Sequence, residues 1–327
     1  MKGQRKQFSA GKRVRFRLEV LAARFVAWLV PRFPRRSVQR FARGLGWLAY
    51  HFLRRERRIA LANLDLAFGD SKTRAEKERI ACASVQNVAA TILCLFWAPR
   101  LAAAMIDRLV EPEPEGLRRV RELKEQGKPI IFVTLHYGDW ELAGLTQGFL
   151  GIPLTIVQEA MRNEALEEIF GRLRACSGHR IVSSRFAGVT LLKTLKRGGN
   201  IALLNDLNAT SKRGGVWLEF FGVPVFNNAA VGALALHSGA AIVCSVTRPL
   251  PDGRVRIVYG PVIEYAPTDD AKAIDQKALR FCEDVIRQSP DLWLWSYKRW
   301  KFRLSEDRGK YPGYSRYRAP VAGLTNS

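Results

Sequence analysis

Acidic side chains are in short supply. Thirty Asp and Glu face 53 Lys and Arg over 327 residues, a formal charge of +23, which argues against cationic ligands and for anionic partners. The imbalance is local: residues 1–60 hold seventeen Lys and Arg and two acids, Glu19 and Glu56. Long apolar runs are also lacking. The best, Val20 to Val30 (VLAARFVAWLV), is shorter than the ~20 apolar residues of a membrane-spanning helix and is interrupted by Arg24. A full span is therefore not expected. Nor is a secretory leader, because Arg24 breaks the apolar stretch and Pro31-Arg32 follows without a small-residue cleavage pattern. The five cysteines, Cys82, Cys94, Cys176, Cys244 and Cys282, lie at least twelve positions apart. No C-x-x-C pair exists to bind metal or cycle redox state, and the thiols are read as reduced core residues. There is no G-x-S-x-G nucleophile elbow and no internal repeat.

What is present begins with helices. Val14, Leu18, Leu21, Phe25, Trp28 and Leu29 recur at three- and four-residue steps, as do Phe41, Leu45, Leu48 and Phe52, the period of amphipathic helices. Arg17, Arg24, Arg40, Arg43, Arg54 and Arg55 fall on the other faces. Such helices suit an anionic headgroup layer, with Trp28 and Trp47 near its interface; the alternative is a solvated face covering the core. Residues 73–107 continue as helix, and EPEPEG at 111–116 marks a boundary.

After it the period changes. Pro129–Leu135, Ile152–Val157, His179–Ser183, Asn200–Leu204, Ala241–Val246 and Arg254–Tyr259 read as strands, with helices near 163–175, 187–197, 228–238 and 270–288. This is an α/β fold, a central sheet flanked by helices. Pro251-Asp252-Gly253 predicts a hairpin, so the sheet is mixed. The expected organisation is a basic helical membrane-associating region at 1–110, an α/β catalytic region at 111–303 and a tail at 304–327.

The strand PIIFVTL is continuously apolar and ends in His136-Tyr137-Gly138-Asp139-Trp140-Glu141. Carboxyl ends of strands in open α/β sheets are where ligands bind, so His136 is a candidate base. Glu141, five residues on, is expected to fold back onto the imidazole and fix its tautomer. That dyad can take a proton from an alcohol, with no Ser or Cys nucleophile and no cofactor. A metal site is the competing reading of His136, Asp139 and Glu141, but no H-x-x-x-H pairing completes it. Backbone N–H groups beyond Gly138 are candidate oxyanion donors. Trp293, Trp295, Tyr297, Lys298, Arg299, Trp300 and Lys301 form an aromatic and basic cluster that would suit nucleic acid or core packing. Packing is expected, and no nucleic-acid partner.

Four blocks in order, LHYGDWEL, ALLND at 202–206, FFGVPV at 220–225 and WLWSYKRWKFR at 293–303, resemble the bacterial lipid A biosynthesis acyltransferases, the late lauroyl or myristoyl enzymes of the glycerolipid acyltransferase superfamily. The resemblance runs from about Asn63 to Arg303. It implies an α/β acyltransferase fold, a thioester donor on acyl carrier protein, and an anionic glycolipid acceptor in lipopolysaccharide biosynthesis at the cytoplasmic face of the bacterial inner membrane. The family's H-x-x-x-x-D/E pair falls on His136 and Glu141. Its R-x-x-x-G arginine falls on Arg174, for the acceptor phosphate or the carboxylate network, and its aspartate after the apolar strand falls on Asp206, taken as substrate-binding with Arg174. Asp139 stands where the family usually has Asn. As a substrate-site residue it is expected to lie near the imidazole and raise its pKa. The rival readings are acylation of another membrane glycolipid, such as a phosphatidylinositol mannoside, and a non-catalytic basic protein that coats membranes or nucleic acid.

Overall fold

The centre is built from runs of β-branched and aliphatic residues. In the computed structural model, which describes residues 9–184, 187–209 and 215–318, they form β1 (Val110–Pro112), β2 (Ile130–Thr134), β3 (Leu154–Gln158), β4 (Arg180–Ser183) and β5 (Asn200–Leu204). A separate antiparallel hairpin, β6 (Val216–Phe220) and β7 (Val223–Asn227), precedes β8 (Ala241–Pro249) and β9 (Val255–Ile263). The main sheet has the order β1-β9-β8-β2-β5-β3-β4. Its pairings are parallel except β8–β9, which run antiparallel across the expected Pro251-Asp252-Gly253 turn, where Leu250 N–H donates to Arg254 O at 2.8 Å. The sheet is mixed, as the sequence predicts. Strand β2 lies between β5 and β8, and Ile130, Ile131, Phe132 and Val133 are at most 2% exposed. Burying each contributes ~1.5–3 kcal/mol.

Eleven α-helices surround the strands among the described residues: α1 (Ala10–Leu29), α2 (Arg35–Phe52), α3 (Arg54–Phe68), α4 (Arg74–Leu95), α5 (Ala103–Leu109), α6 (Pro114–Glu125), α7 (Trp140–Phe149), α8 (Glu164–Ala175), α9 (Ala187–Lys196), α10 (Ala230–Ser238) and α11 (Ala271–Gln288). Helix α4 starts at a capping box, Thr73 Oγ1 accepting from Glu76 N and Glu76 Oε2 accepting from Thr73 N, which satisfies two orphan donors. Small residues let α2 lie close on it. A Cβ on Gly46 would stand 2.5 Å from Gln86 Cα, so only glycine permits this approach.

The boundary expected at residue 110 is not a boundary of packing. Tyr50, Leu61, Leu64 and Phe68 share one apolar cluster with Leu135, Tyr137, Trp293 and Trp295, and β1 joins the sheet edge. Within the expected tail, Arg316–Tyr317 (β11) pairs in parallel with Phe302–Arg303 (β10); residues 319–327 lie outside the described residues, as do 1–8 of the basic start.

The apolar stripes of α1 and α2 do not cover the core. In α2 the covering face is Val38, Ala42, Gly46 and Tyr50, whereas Phe41, Leu45, Leu48 and Phe52 are exposed. In α1, Val14, Leu18, Leu21, Phe25 and Trp28 are exposed and Ala23 is buried. No helix among the described residues is long and apolar enough to cross a membrane. Of the thiols, Cys94, Cys244 and Cys282 are buried as expected, while Cys176 is exposed.

Candidate active site

Two neighbouring parallel strands end together. Thr134 of β2 is in register with Leu204 of β5, so two residues on, His136 and Asp206 meet beyond the sheet. Asp206 is 1% exposed. Its Oδ1 is 2.9 Å from His136 Nδ1, and its Oδ2 accepts from His136 N–H at 2.9 Å and from the Trp293 indole N–H at 2.8 Å. A carboxylate on Nδ1 assigns that nitrogen the proton and leaves Nε2 available to a substrate. The Trp140 ring stands edge-on to the imidazole, with centroids 5.3 Å apart.

This geometry corrects the expected dyad. Glu141 does not hydrogen-bond the imidazole; its carboxylate is gripped in a bidentate fork by Arg174, with Nη2–Oε1 2.6 Å and Nε–Oε2 3.0 Å. Helix α8 turns Arg174 inward, and its Nη1 donates to Gln158 Oε1 at 2.8 Å. Arg172, two residues earlier, points out and pairs with Glu168. The residue that orients His136 is Asp206, to which the sequence reading gave a substrate-binding role.

Asp139 is a second correction. It caps α7, with Oδ1 accepting from Leu142 N at 3.2 Å, and its Oδ2 is paired with the buried Arg35 guanidinium of α2. The side chain faces Arg35 and Cys94, so it is not the carboxylate that acts on the imidazole. Gly138, with φ +58°, makes the turn possible; a Cβ there would stand 2.4 Å from Thr247 Oγ1. Two candidate oxyanion donors are already occupied: Asp139 N–H donates to Thr247 Oγ1, and Leu142 N–H to Asp139.

Burial pushes the His136 imidazole down, but the charge and hydrogen bond of Asp206, helped by the charge of Glu141, prevail over it and over Arg174, so its pKa stands above the ordinary value. Burial pushes Asp206 up, and His136 and Trp293 bring it below the usual carboxylate range. Burial raises Asp139 despite Arg35 alongside. Behind Asp206, fully buried Arg299 donates to Asn227 Oδ1 at 2.7 Å, and burial lowers its pKa to about 10 against the pull of Asp206. It remains charged at neutral pH.

His136, Glu141 and Arg174 line a cavity of about 1830 Å³, larger than the ~300–1,000 Å³ of small-molecule sites. Much of its wall is apolar, including Leu154, Ile156, Leu191, Phe226 and Leu234. An imidazole base at the side of a large, mostly apolar cavity can deprotonate a hydroxyl held beside an aliphatic chain. Among the described residues no three His, Cys, Asp or Glu side chains gather as a metal site; His136, Asp139 and Glu141 each have a separate partner. Within the cluster at 293–301, Trp293, Trp295, Arg299 and Trp300 are at most 1% exposed and serve packing, while Lys301 is exposed.

Sequence reasoning missed Trp293 as the support of Asp206, and Arg35. Trp293 has a signal, its place in the WLWSYKRWKFR block, where an aromatic run equally suits packing; Arg35 has none beyond the basic start.

Comparison with known proteins follows the same direction. A family model for the bacterial lipid A biosynthesis acyltransferases matches residues 5–302. The lipid A biosynthesis lauroyltransferase of Escherichia coli (strain K12) is 26% identical over 286 residues, covering 85% of this chain and 90% of its own. The palmitoleoyltransferase of the same organism is 24% identical over 285 residues, with 85% and 89% covered. A phosphatidylinositol mannoside acyltransferase of Mycobacterium tuberculosis (strain ATCC 25618 / H37Rv) is 24% identical over 233 residues, covering 70% and 72%.

Proposed function

The chain belongs to the bacterial lipid A biosynthesis acyltransferases, and on that premise we propose that it moves a fatty acyl group from acyl carrier protein to a hydroxyl of a lipid A precursor. The observation that carries this reading is His136, held through Nδ1 by Asp206, at the side of the apolar cavity. In the proposed step Nε2 takes the hydroxyl proton as the oxygen bonds to the thioester carbonyl. The tetrahedral intermediate then expels the thiolate, which leaves as the thiol with the proton from the imidazolium. Glu141, fixed by Arg174, adds negative charge that stabilises the imidazolium.

The acidic carrier protein and the phosphorylated acceptor both suit the basic surface. The proposed setting is the cytoplasmic face of the inner membrane, with α1 and α2 lying on it. Twelve of the fifteen large hydrophobics exposed among the described residues fall between Val14 and Leu53, with exposed Arg17, Arg24, Arg40 and Arg43 beside them. Apolar burial and headgroup attraction add for such helices.

The M. tuberculosis relative keeps a second acceptor in view, a phosphatidylinositol mannoside. The test is a panel: purified protein in detergent with lauroyl-, myristoyl- or palmitoyl-acyl carrier protein, or the coenzyme A thioesters, and either a phosphorylated lipid A precursor or a phosphatidylinositol mannoside. Acylation of the lipid A precursor from the carrier-protein donor is expected. Acylation of the mannoside alone would replace the acceptor, and no product with any pair would remove the reading.

A further inference from the structure

We propose that Arg35 is a positioning residue that ties the lipid-facing helix α2 to the catalytic turn, so that docking on a membrane sets the pose of Trp140 and Glu141 beside His136. The inference rests on the membrane reading of α1 and α2 given above and extends it to the active site.

Arg35 stands in the first turn of α2, yet it is 7% exposed on a face of the molecule where most arginines are in solvent. Burying a guanidinium is costly unless it is paired, and its partner is Asp139 Oδ2. Asp139 is the N-cap of α7, its other oxygen on Leu142 N–H. The two residues that follow it are Trp140, whose ring meets the imidazole, and Glu141, which is locked to Arg174. Arg35, Asp139, Glu141 and Arg174 thus form two ion pairs whose carboxylates face each other. A shift of Arg35 acts on Asp139, whose carboxylate lies within electrostatic reach of Glu141.

A second route joins the same helix to the same turn. The backbone of Gly46 is pressed on Gln86 of α4, and the next residue, Asn87, donates from Nδ2 to Gly138 O at 2.9 Å, joined there by Thr91 Oγ1 at 3.0 Å. Helix α2 therefore holds the turn directly at Asp139 and, through α4, at Gly138. A neighbouring, solvent-facing stripe of the same helix presents Phe41, Leu45, Leu48 and Phe52. A lipid surface under that stripe bears on a helix whose inner side holds the turn, and a rigid helix moves both sides together.

The experiment uses the full chain labelled with 5-fluorotryptophan, whose eight tryptophans are assigned by single Trp→Phe variants and followed by fluorine NMR. Vesicles of equimolar phosphatidylglycerol and phosphatidylcholine are added, with phosphatidylcholine alone as control. In the wild type the resonances of Trp28 and Trp47, on the lipid-facing helices, and of Trp140 are all expected to move. In Arg35→Gln the Trp28 and Trp47 shifts persist and that of Trp140 is lost; Arg35→Lys restores it. Asp139→Asn, which keeps a capping oxygen and removes the charge, provides a second variant with the same expected loss. Movement of Trp28 and Trp47 with a still Trp140 in the wild type, or an unchanged Trp140 shift in both variants, overturns the coupling and leaves the membrane reading standing. No movement of Trp28 or Trp47 overturns the membrane reading and this inference with it.

Discussion

Asp206→Asn is the most informative single change, because the structure dictates what the amide must do. Two donors, His136 N–H and the Trp293 indole N–H, converge on Oδ2, so the amide oxygen takes that place and the amide NH2 faces Nδ1. Nδ1 must then accept, and the imidazole proton moves to Nε2, the nitrogen that should receive the hydroxyl proton. The side-chain volume is kept while the tautomer is inverted. General-base assistance contributes about 10²–10⁴-fold, and loss of the correct tautomer forfeits most of it, about 3–5 kcal/mol of transition-state stabilisation at ~1.36 kcal/mol per tenfold. The pH dependence gives an independent reading. Activity rises as His136 loses its proton, and Asp206 is the principal cause that holds its pKa up; the ascending limb therefore moves to lower pH in the variant. Acyl transfer measured across pH on both proteins tests this, with circular dichroism to establish folding. A variant within about threefold of wild type, with its limb unmoved, would refute the assignment of Asp206.

Glu141→Gln leaves Arg174 without its carboxylate; with Arg174 about one-fifth exposed, the stability loss is about 1–3 kcal/mol, below the ~3–5 kcal/mol of a fully buried pair, and chemical denaturation measures it. The same variant moves the activity limb to lower pH, by less than Asp206→Asn, since Glu141 acts on His136 through space. Trp293→Phe keeps an aromatic ring but removes a hydrogen bond to a carboxylate, about 1.5–3 kcal/mol of stability, read from the denaturation midpoint. Asp206 has a folded pKa below its unfolded value of about 4. Its contribution is complete above that unfolded value and is lost as pH falls through the folded one, so acid titration of stability should be shallower in Asp206→Asn than in wild type below about pH 4. Phe41 and Leu48 are 63% and 44% exposed; changing both to Glu removes about 1 kcal/mol of apolar contact each, and vesicle sedimentation should show binding weakened roughly tenfold or more.

The sheet was legible wherever one strand declares itself. The run Asn200–Leu204 is a strand with the same bounds in sequence and structure, and the proline-glycine turn at 251–253 called the antiparallel pair. The hairpin β6–β7 was passed over: its strands are five residues each, and the turn runs through Phe221 at φ +54°, a conformation a phenylalanine does not advertise. Strand β1 hid in a proline-rich stretch because its Pro112 sits at the sheet edge, where a missing N–H is tolerated. At the site, His136 was readable from its place after an apolar strand. Its orienting partner was not, because Glu141 is near in sequence and Asp206 is seventy residues away, brought there by the adjacency of β2 and β5. Local pattern gives strands, not their order. Asp139 was misjudged for the same reason: Arg35 comes from a distant helix and draws the carboxylate to itself.

The central claim, direct attack by a hydroxyl activated at His136, is tested most directly by following one turnover with acyl carrier protein thioester and lipid acceptor while recording the intact mass of the enzyme. The predicted result is acylated lipid with no acyl mass on the enzyme at any time, and His136→Ala slowed by about 10²-fold or more. An acyl-enzyme mass that forms and decays with product, or His136→Ala turning over at the wild-type rate, would contradict it.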